Sequence, residues 1–255
     1  MKLLLKFFQV IYTVYAILLF VILMLVVVPF VMLASFFGKT RGGDVIYHMC
    51  YLWALIWCFC IGVRHRNIYL SNKPQAETCI YVINHISYMD IPVLLLAIRK
   101  RIRVLGKVEF SKIPIFGLVY RNTTVMVDRS SMENRAKSVV TMKAVLRKGV
   151  SIVIFPEGTF NETGKTLAEF FNGAFRIALE TQTPIRPVIF PDNVKRLHFS
   201  SVFSLTPGRS RAIFLDEVPV AGLTMQDLEA LKQTVFNKME TALVKWGETP
   251  VQSPS

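Results

Sequence analysis

Cys79-Ile80-Tyr81-Val82-Ile83-Asn84-His85-Ile86-Ser87-Tyr88-Met89-Asp90 is the stretch on which the fold turns. Its first five residues are apolar and partly β-branched, the composition of a buried strand. The apolar run that follows, 91–100, reads as a helix. Pro92 fits there only in the first helical turn, where its missing N–H leaves no bond unmade. His85 therefore falls in a strand-to-helix turn, with Asp90 at the helix start. A carboxylate five residues on can fold back onto the imidazole across that turn. Such a pairing sets the tautomer and stabilises the imidazolium, as a general base requires. Spacing alone does not decide this, because a His after a strand is more often a turn residue with its bonds satisfied.

Outward from this stretch, short apolar runs alternate with longer periodic ones. The pattern predicts strands over 68–70, 79–83, 102–105, 124–127, 151–155, 185–190 and 211–215, and helices over 91–100, 131–148, 167–181 and 224–246. The second helix has a start signal at Ser130-x-x-Glu133 and a stop signal at Gly149. The last begins Thr224-x-x-Asp227 and carries Leu228, Leu231, Val235 and Ala242 on one stripe. The expectation is an α/β domain, a mixed sheet of about seven strands flanked by helices.

The N-terminal part differs in kind. Residues 7–37 are 31 positions without an ionised side chain, long enough to span a bilayer and too long for a signal-peptide core. Gly38 to Asp44 reads as a turn, and a second apolar run occupies 45–63. A helical hairpin that spans the membrane and one embedded in a single leaflet both fit. The division expected is a membrane-embedded hairpin over 1–66, a catalytic domain over 67–247 and a flexible tail over 248–255. The chain of 255 residues carries a net charge of +13, of which residues 1–66, with six Lys/Arg against one Asp, leave +8 to the rest. A basic chain with apolar segments points to an anionic membrane surface as partner and away from nucleic acid. The four Cys, at 50, 58, 60 and 79, show no C-x-x-C spacing and read as reduced, buried thiols.

A second constellation, Pro156-Glu157-Gly158-Thr159, follows the strand over 151–155. A Glu beside a Gly and a hydroxyl residue at a strand end reads as a ligand loop, against the alternative of an ordinary turn. Overlapping it, Gly158 to Thr166 comes close to the phosphate-cradling G-x4-G-K-[ST] loop of nucleotide hydrolases. Five residues rather than four separate its glycines, which would misdirect the converging N–H groups. No G-x-S-x-G nucleophile elbow occurs.

In order along the chain stand Asn84-His85-x4-Asp90, Gly106-Lys107-x-x-Phe110-x-x-Ile113-Pro114-x-Phe116-Gly117, Val127-Asp128-Arg129, Phe155-Pro156-Glu157-Gly158-Thr159, Phe170-x-x-Gly173-Ala174-Phe175 and Pro184-Ile185-x-Pro187-Val188. This series resembles the motifs of the glycerolipid acyltransferases, and within them the lysophosphatidic acid acyltransferase family, over roughly residues 65 to 190. The resemblance implies a membrane-bound enzyme, its catalytic domain on the cytoplasmic side, that moves a fatty acyl group from an acyl thioester to the hydroxyl of a lysolipid. Acyl-CoA or acyl carrier protein would be the donor and cosubstrate, with no other cofactor and no metal. It implies His85 as the base, Asp90 as its orienter, and Glu157, Gly158, Thr159, Arg129 and Lys107 as substrate-binding positions.

The chain departs from the family pattern twice. Phe160 stands where Arg usually follows Glu-Gly-Thr, and Phe171 stands where a basic residue precedes Gly-Ala-Phe. Two acceptors follow: lysophosphatidic acid held by the remaining cations, or a lysolipid without phosphate, such as a lyso-aminolipid. Outside the class, a non-catalytic membrane-binding module would leave His85, Asp90 and Glu157 without a task.

Overall fold

The computed structural model describes residues 2–38, 42–71, 76–100, 102–113, 116–127 and 132–247. Seven strands, β1 (Val63–Tyr69), β2 (Ile80–Ile83), β3 (Ile102–Lys107), β4 (Thr124–Val127), β5 (Ser151–Ile154), β6 (Ile185–Ile189) and β7 (Gly208–Phe214), form one sheet in the order β1-β7-β6-β2-β5-β3-β4. The five strands from β6 to β4 run parallel, while β7 pairs antiparallel to β6 and carries β1 parallel to itself. The sheet is therefore mixed, as the alternating pattern predicts. β2 is its central strand and is buried along its whole length, which is why that segment is apolar without interruption.

Alternation along β2 separates two cores. Tyr81 and Ile83 face one side, with Val153, Val188 and Phe214, and helix α3 (Asp90–Ala97) covers them. Ile80 and Val82 face the other, beneath α5 (Met132–Arg147), α6 (Gly173–Thr181) and α8 (Leu228–Trp246). Pro92 lies in the first turn of α3, as its chemistry demands. The capping box expected at Thr224 is formed: its side chain accepts from the Gln226 N–H, and Asp227 accepts from the Thr224 N–H at 2.7 Å.

Two long apolar helices precede the sheet. α1 (Lys2–Ser35) and α2 (Gly43–Cys60) are both long and apolar enough to cross a membrane by length and composition. α1 buries only a narrow stripe, Thr13, Ala16, Met24, Val31 and Ala34, and leaves residues such as Phe7, Leu18, Ile22 and Phe30 exposed. A soluble surface does not tolerate so long an apolar face, so this helix associates with a membrane. On the facing side Trp53 and Trp57 stack on one another and meet Phe20 edge-on. α2 is more than an anchor. Its stripe Ile46, Tyr47, Cys50, Ala54 and Trp57 joins the core above α3, and the Tyr47 hydroxyl donates to the Ile98 carbonyl at 2.7 Å.

Several details differ from the sequence reading. β1 starts at Val63, five residues earlier than expected, because its backbone follows β7 in register from Val63↔Gly208 onward. A short helix, α4 (Phe116–Thr123), lies in a segment to which the pattern assigns no element, and a Cβ on Gly117 would strike the Ser111 carbonyl there. The helix expected over 167–181 begins only at Gly173. The N–H groups of Ala168 and Phe171 are held instead by Glu157 Oε2 and the Pro156 carbonyl. Cys60 is exposed, whereas Cys50, Cys58 and Cys79 are buried, and all four are free. The Ser130 cap signal and the tail 248–255 lie outside the described residues.

Candidate active site

The C-terminal ends of the five parallel strands share one edge of the sheet, the edge at which α/β folds place ligands. His85 leaves the central strand there. Its Nδ1 lies 2.9 Å from Asp90 Oδ2, the pairing that the five-residue spacing predicts. Asp90 opens α3, is fully buried, and also accepts the N–H groups of Ile86 and Ser87 on Oδ2 at 2.8 and 2.9 Å. A negative group at a helix N-terminus is favoured by the aligned peptide dipoles. The second oxygen, Oδ1, accepts from Asn193 Nδ2 at 2.9 Å. Asn193 lies in the short helix α7 (Asn193–Arg196) and is itself held by the Ser210 hydroxyl at 3.1 Å. No sequence signal marks it, because it reaches Asp90 from a distant part of the chain.

Glu157 turns inward. It is 3% exposed, and its oxygens accept the N–H groups of His85 at 2.7 Å and Ala168 at 2.8 Å. The His85 carbonyl in turn accepts the Asn161 N–H at 2.8 Å. The loop after β5 thus grips the backbone of His85 on both sides. Burial pushes the Glu157 carboxyl up to about 7, against the two N–H bonds and the His85 ring, which pull it down. Gly158 takes a φ of +72°, which lets the chain turn sharply between Glu157 and the exposed Thr159.

Around the imidazole the site is aromatic. Phe155 stacks on His85 at 4.3 Å between centroids, and Phe160 tilts against the same ring at 4.4 Å and meets Tyr88 edge-on. Phe160, read as a missing cation, is therefore a wall of the site. Phe171 is exposed. Lys107 is exposed at the end of β3, on the same sheet edge as His85. Arg129 lies outside the described residues.

The nucleotide-loop alternative fails on structure. The chain from Gly158 to Thr166 leads into irregular structure, and the next helix starts at Gly173, so no helix N-terminus faces that loop. Ser87 is equally excluded as a nucleophile: it is buried, and its hydroxyl donates to the Leu197 carbonyl at 2.6 Å. Among the described residues no group of three His, Cys, Asp or Glu is placed to hold a metal.

The acyltransferase family model matches residues 65–191. The Caenorhabditis elegans protein acl-2, which carries the name of a 1-acyl-sn-glycerol-3-phosphate acyltransferase, is 30% identical over 79% of this chain and 71% of its own length. The chain belongs to the 1-acyl-sn-glycerol-3-phosphate acyltransferase family. The Homo sapiens beta enzyme of that name is 29% identical over 84% of this chain and 77% of its own. The Haemophilus influenzae enzyme is 29% identical over 74% and 78%. The crystal structure of the acyltransferase PlsC from Thermotoga maritima superposes with a TM-score of 0.72 over 99% of this chain and 100% of its own, at 20% identity, and so shares the fold. Members of this family join an acyl donor to a lysolipid acceptor, and the pair of half-buried His85 and buried Asp90 belongs to the matched segment.

Proposed function

We propose that this chain transfers a fatty acyl group from an acyl thioester, on coenzyme A or acyl carrier protein, to the free hydroxyl of lysophosphatidic acid, giving phosphatidic acid. The observation that carries this reading is the 2.9 Å contact between His85 Nδ1 and Asp90 Oδ2, which leaves Nε2 for the acceptor. The acceptor O–H gives its proton to Nε2 while its oxygen attacks the thioester carbonyl. The C–S bond of the tetrahedral adduct then breaks, and the departing thiolate takes the proton from His85. Asp90 stabilises the imidazolium between the two steps. The structural engagement of Ser87 supports direct transfer without an acyl-enzyme. The reaction as written needs no resident cofactor.

Glu157 acts here by holding His85 in place, and the acceptor meets Gly158, Thr159, Lys107 and Arg129, the two cations taking its phosphate. The helical pair α1 and α2 serves as a membrane-embedded hairpin that ends before β1 at Val63, short of the boundary at 66 that the sequence suggests, with the domain from β1 onward on the cytoplasmic side against anionic lipid. A second reading, an acceptor without phosphate such as a lyso-aminolipid, is favoured by one observation: the Phe160 ring occupies the space beside His85. The test is product analysis by mass spectrometry, with the full chain in mixed micelles, several lysolipids and both thioester donors. Phosphatidic acid as the dominant product supports the first reading. Good acylation of a lyso-aminolipid with little turnover of lysophosphatidic acid overturns it.

A further inference from the structure

At the opposite end of the strands from His85 a cavity of about 340 Å3 opens between β1, β2, β6 and the end of α3. Tyr81 borders it, four residues before His85 on the same chain, or about 13 Å of extended backbone. Arg186 of β6 also borders it and is 2% exposed, among the largest fully buried side chains in the molecule. Its Nε is buried without a hydrogen-bond partner. The Tyr81 hydroxyl lies against the guanidinium, but it is a neutral group. Glu217 is brought across from Arg186 by the Ile185–Val218 bridge, yet its Oε2 accepts the Ala76 N–H. Among the described residues no carboxylate lies within the 4.0 Å of an ion pair with Arg186.

A buried cation without a counter-charge is costly, so an anion in the cavity would be favoured at this point. The surroundings suit one. Arg99 and Lys100 stand at the mouth, Arg99 also resting over the Tyr51 ring. The last carbonyls of α3 would repel an anion, but both are covered. Asn67 Nδ2 donates to Ala97 O at 2.9 Å and the Tyr47 hydroxyl to Ile98 O at 2.7 Å. Tyr69 and Phe214, stacked at 4.6 Å, form an apolar wall.

We infer that this cavity is a binding site for a phosphate group, held by Arg186 with Arg99 and Lys100, distinct from the acceptor site at His85. Three cations lining one cavity match the charge of a phosphate monoester or diester. The same chemistry is presented by an anionic lipid head group and by a free phosphate ester, and α2, which contacts this end of α3, brings the cavity close to the membrane-associated part of the chain.

The test uses the full chain in neutral detergent micelles and follows its thermal midpoint. One arm titrates inorganic phosphate and glycerol 3-phosphate; the other dopes the micelles with phosphatidylglycerol, with diacylglycerol as the neutral, phosphate-free control. Binding at the acceptor site is common to wild type and Arg186→Gln, so the difference between them reads this cavity. Expected is a saturable rise in the wild-type midpoint whose apparent affinity falls about tenfold or more in Arg186→Gln. The arm that shows it identifies the source of the phosphate. Equal responses in the two proteins, or no response in either arm, overturn the inference. If Arg186→Gln does not fold, the surface variant Arg99→Gln/Lys100→Gln replaces it. A tenfold weaker response then supports the site and an unchanged one refutes it.

Discussion

Replacing Asp90 by Asn tests the His–Asp pair with little change of shape. In the native chain the Asp90 carboxylate accepts four hydrogen bonds, three on Oδ2 and one on Oδ1. The amide oxygen of Asn can keep the Oδ2 position and its three donors. Its NH2 then meets Asn193 Nδ2, donor against donor, but Asn193 can turn its amide over. Its oxygen then receives the new N–H, and its NH2 donates to the Ser210 hydroxyl, which now points its proton at Asn193 Oδ1. The fold therefore survives, with a loss of about 1–3 kcal/mol for the weaker, neutral bonds. The reaction loses more. The imidazolium formed in the transition state no longer faces a negative charge, and breaking a buried charge pair is worth roughly 3–5 kcal/mol. That corresponds to about 10²–10⁴ in rate. The assay is initial thioester cleavage with lysolipid present, alongside the thermal midpoint. A folded Asp90→Asn enzyme that keeps more than about a tenth of wild-type kcat/KM would refute the assignment.

Glu157→Gln places a donor against the N–H of either His85 or Ala168, so stability falls by about 1–3 kcal/mol and kcat falls with it; a variant with wild-type kcat shows that the clamp is dispensable. Because burial raises the Glu157 carboxyl from 4.5 to about 7, its contribution is fully present below pH 4.5 and is lost as pH rises through 7, by about 3 kcal/mol. The gap in thermal midpoint between wild type and Glu157→Gln, followed from acid to neutral pH, should change accordingly. Phe160→Arg restores a cation beside His85, which should lower KM for lysophosphatidic acid and leave it unchanged for an acceptor without phosphate; equal effects on both acceptors contradict this. Deleting residues 1–61 uncovers the face of α3 that α2 packs and removes the Tyr47–Ile98 bond, so the truncated chain should aggregate in dilute buffer. A monodisperse truncated protein on sedimentation would disprove it.

Six of the strands, the end of β1 and the His85–Asp90 pair were legible in the sequence, because each rests on a local rule, whereas the polar start of β1 follows only from its pairing with β7. Buried strands are short runs of apolar residues, and a carboxylate five residues after a His needs only one turn to reach it. Glu157 was legible as a loop residue but not as a clamp. Its partner His85 lies on β2, and only the sheet order, which sets β5 beside β2, brings the two together. Asn193 was silent for the same reason: β6 lies on the other side of β2, and the loop beyond it ends against Asp90. The late start of α6 has a related cause, since Glu157 and Pro156 take the N–H groups that a longer helix would have used. Phe160 looked like a lost cation and proved to be packing for the base. Periodicity, capping and turn chemistry act within a window of a few residues. Strand order brings residues from far along the chain into hydrogen-bond distance, and it was the tertiary structure that decided which of them meet at His85 and which leave Arg186 without a counter-charge.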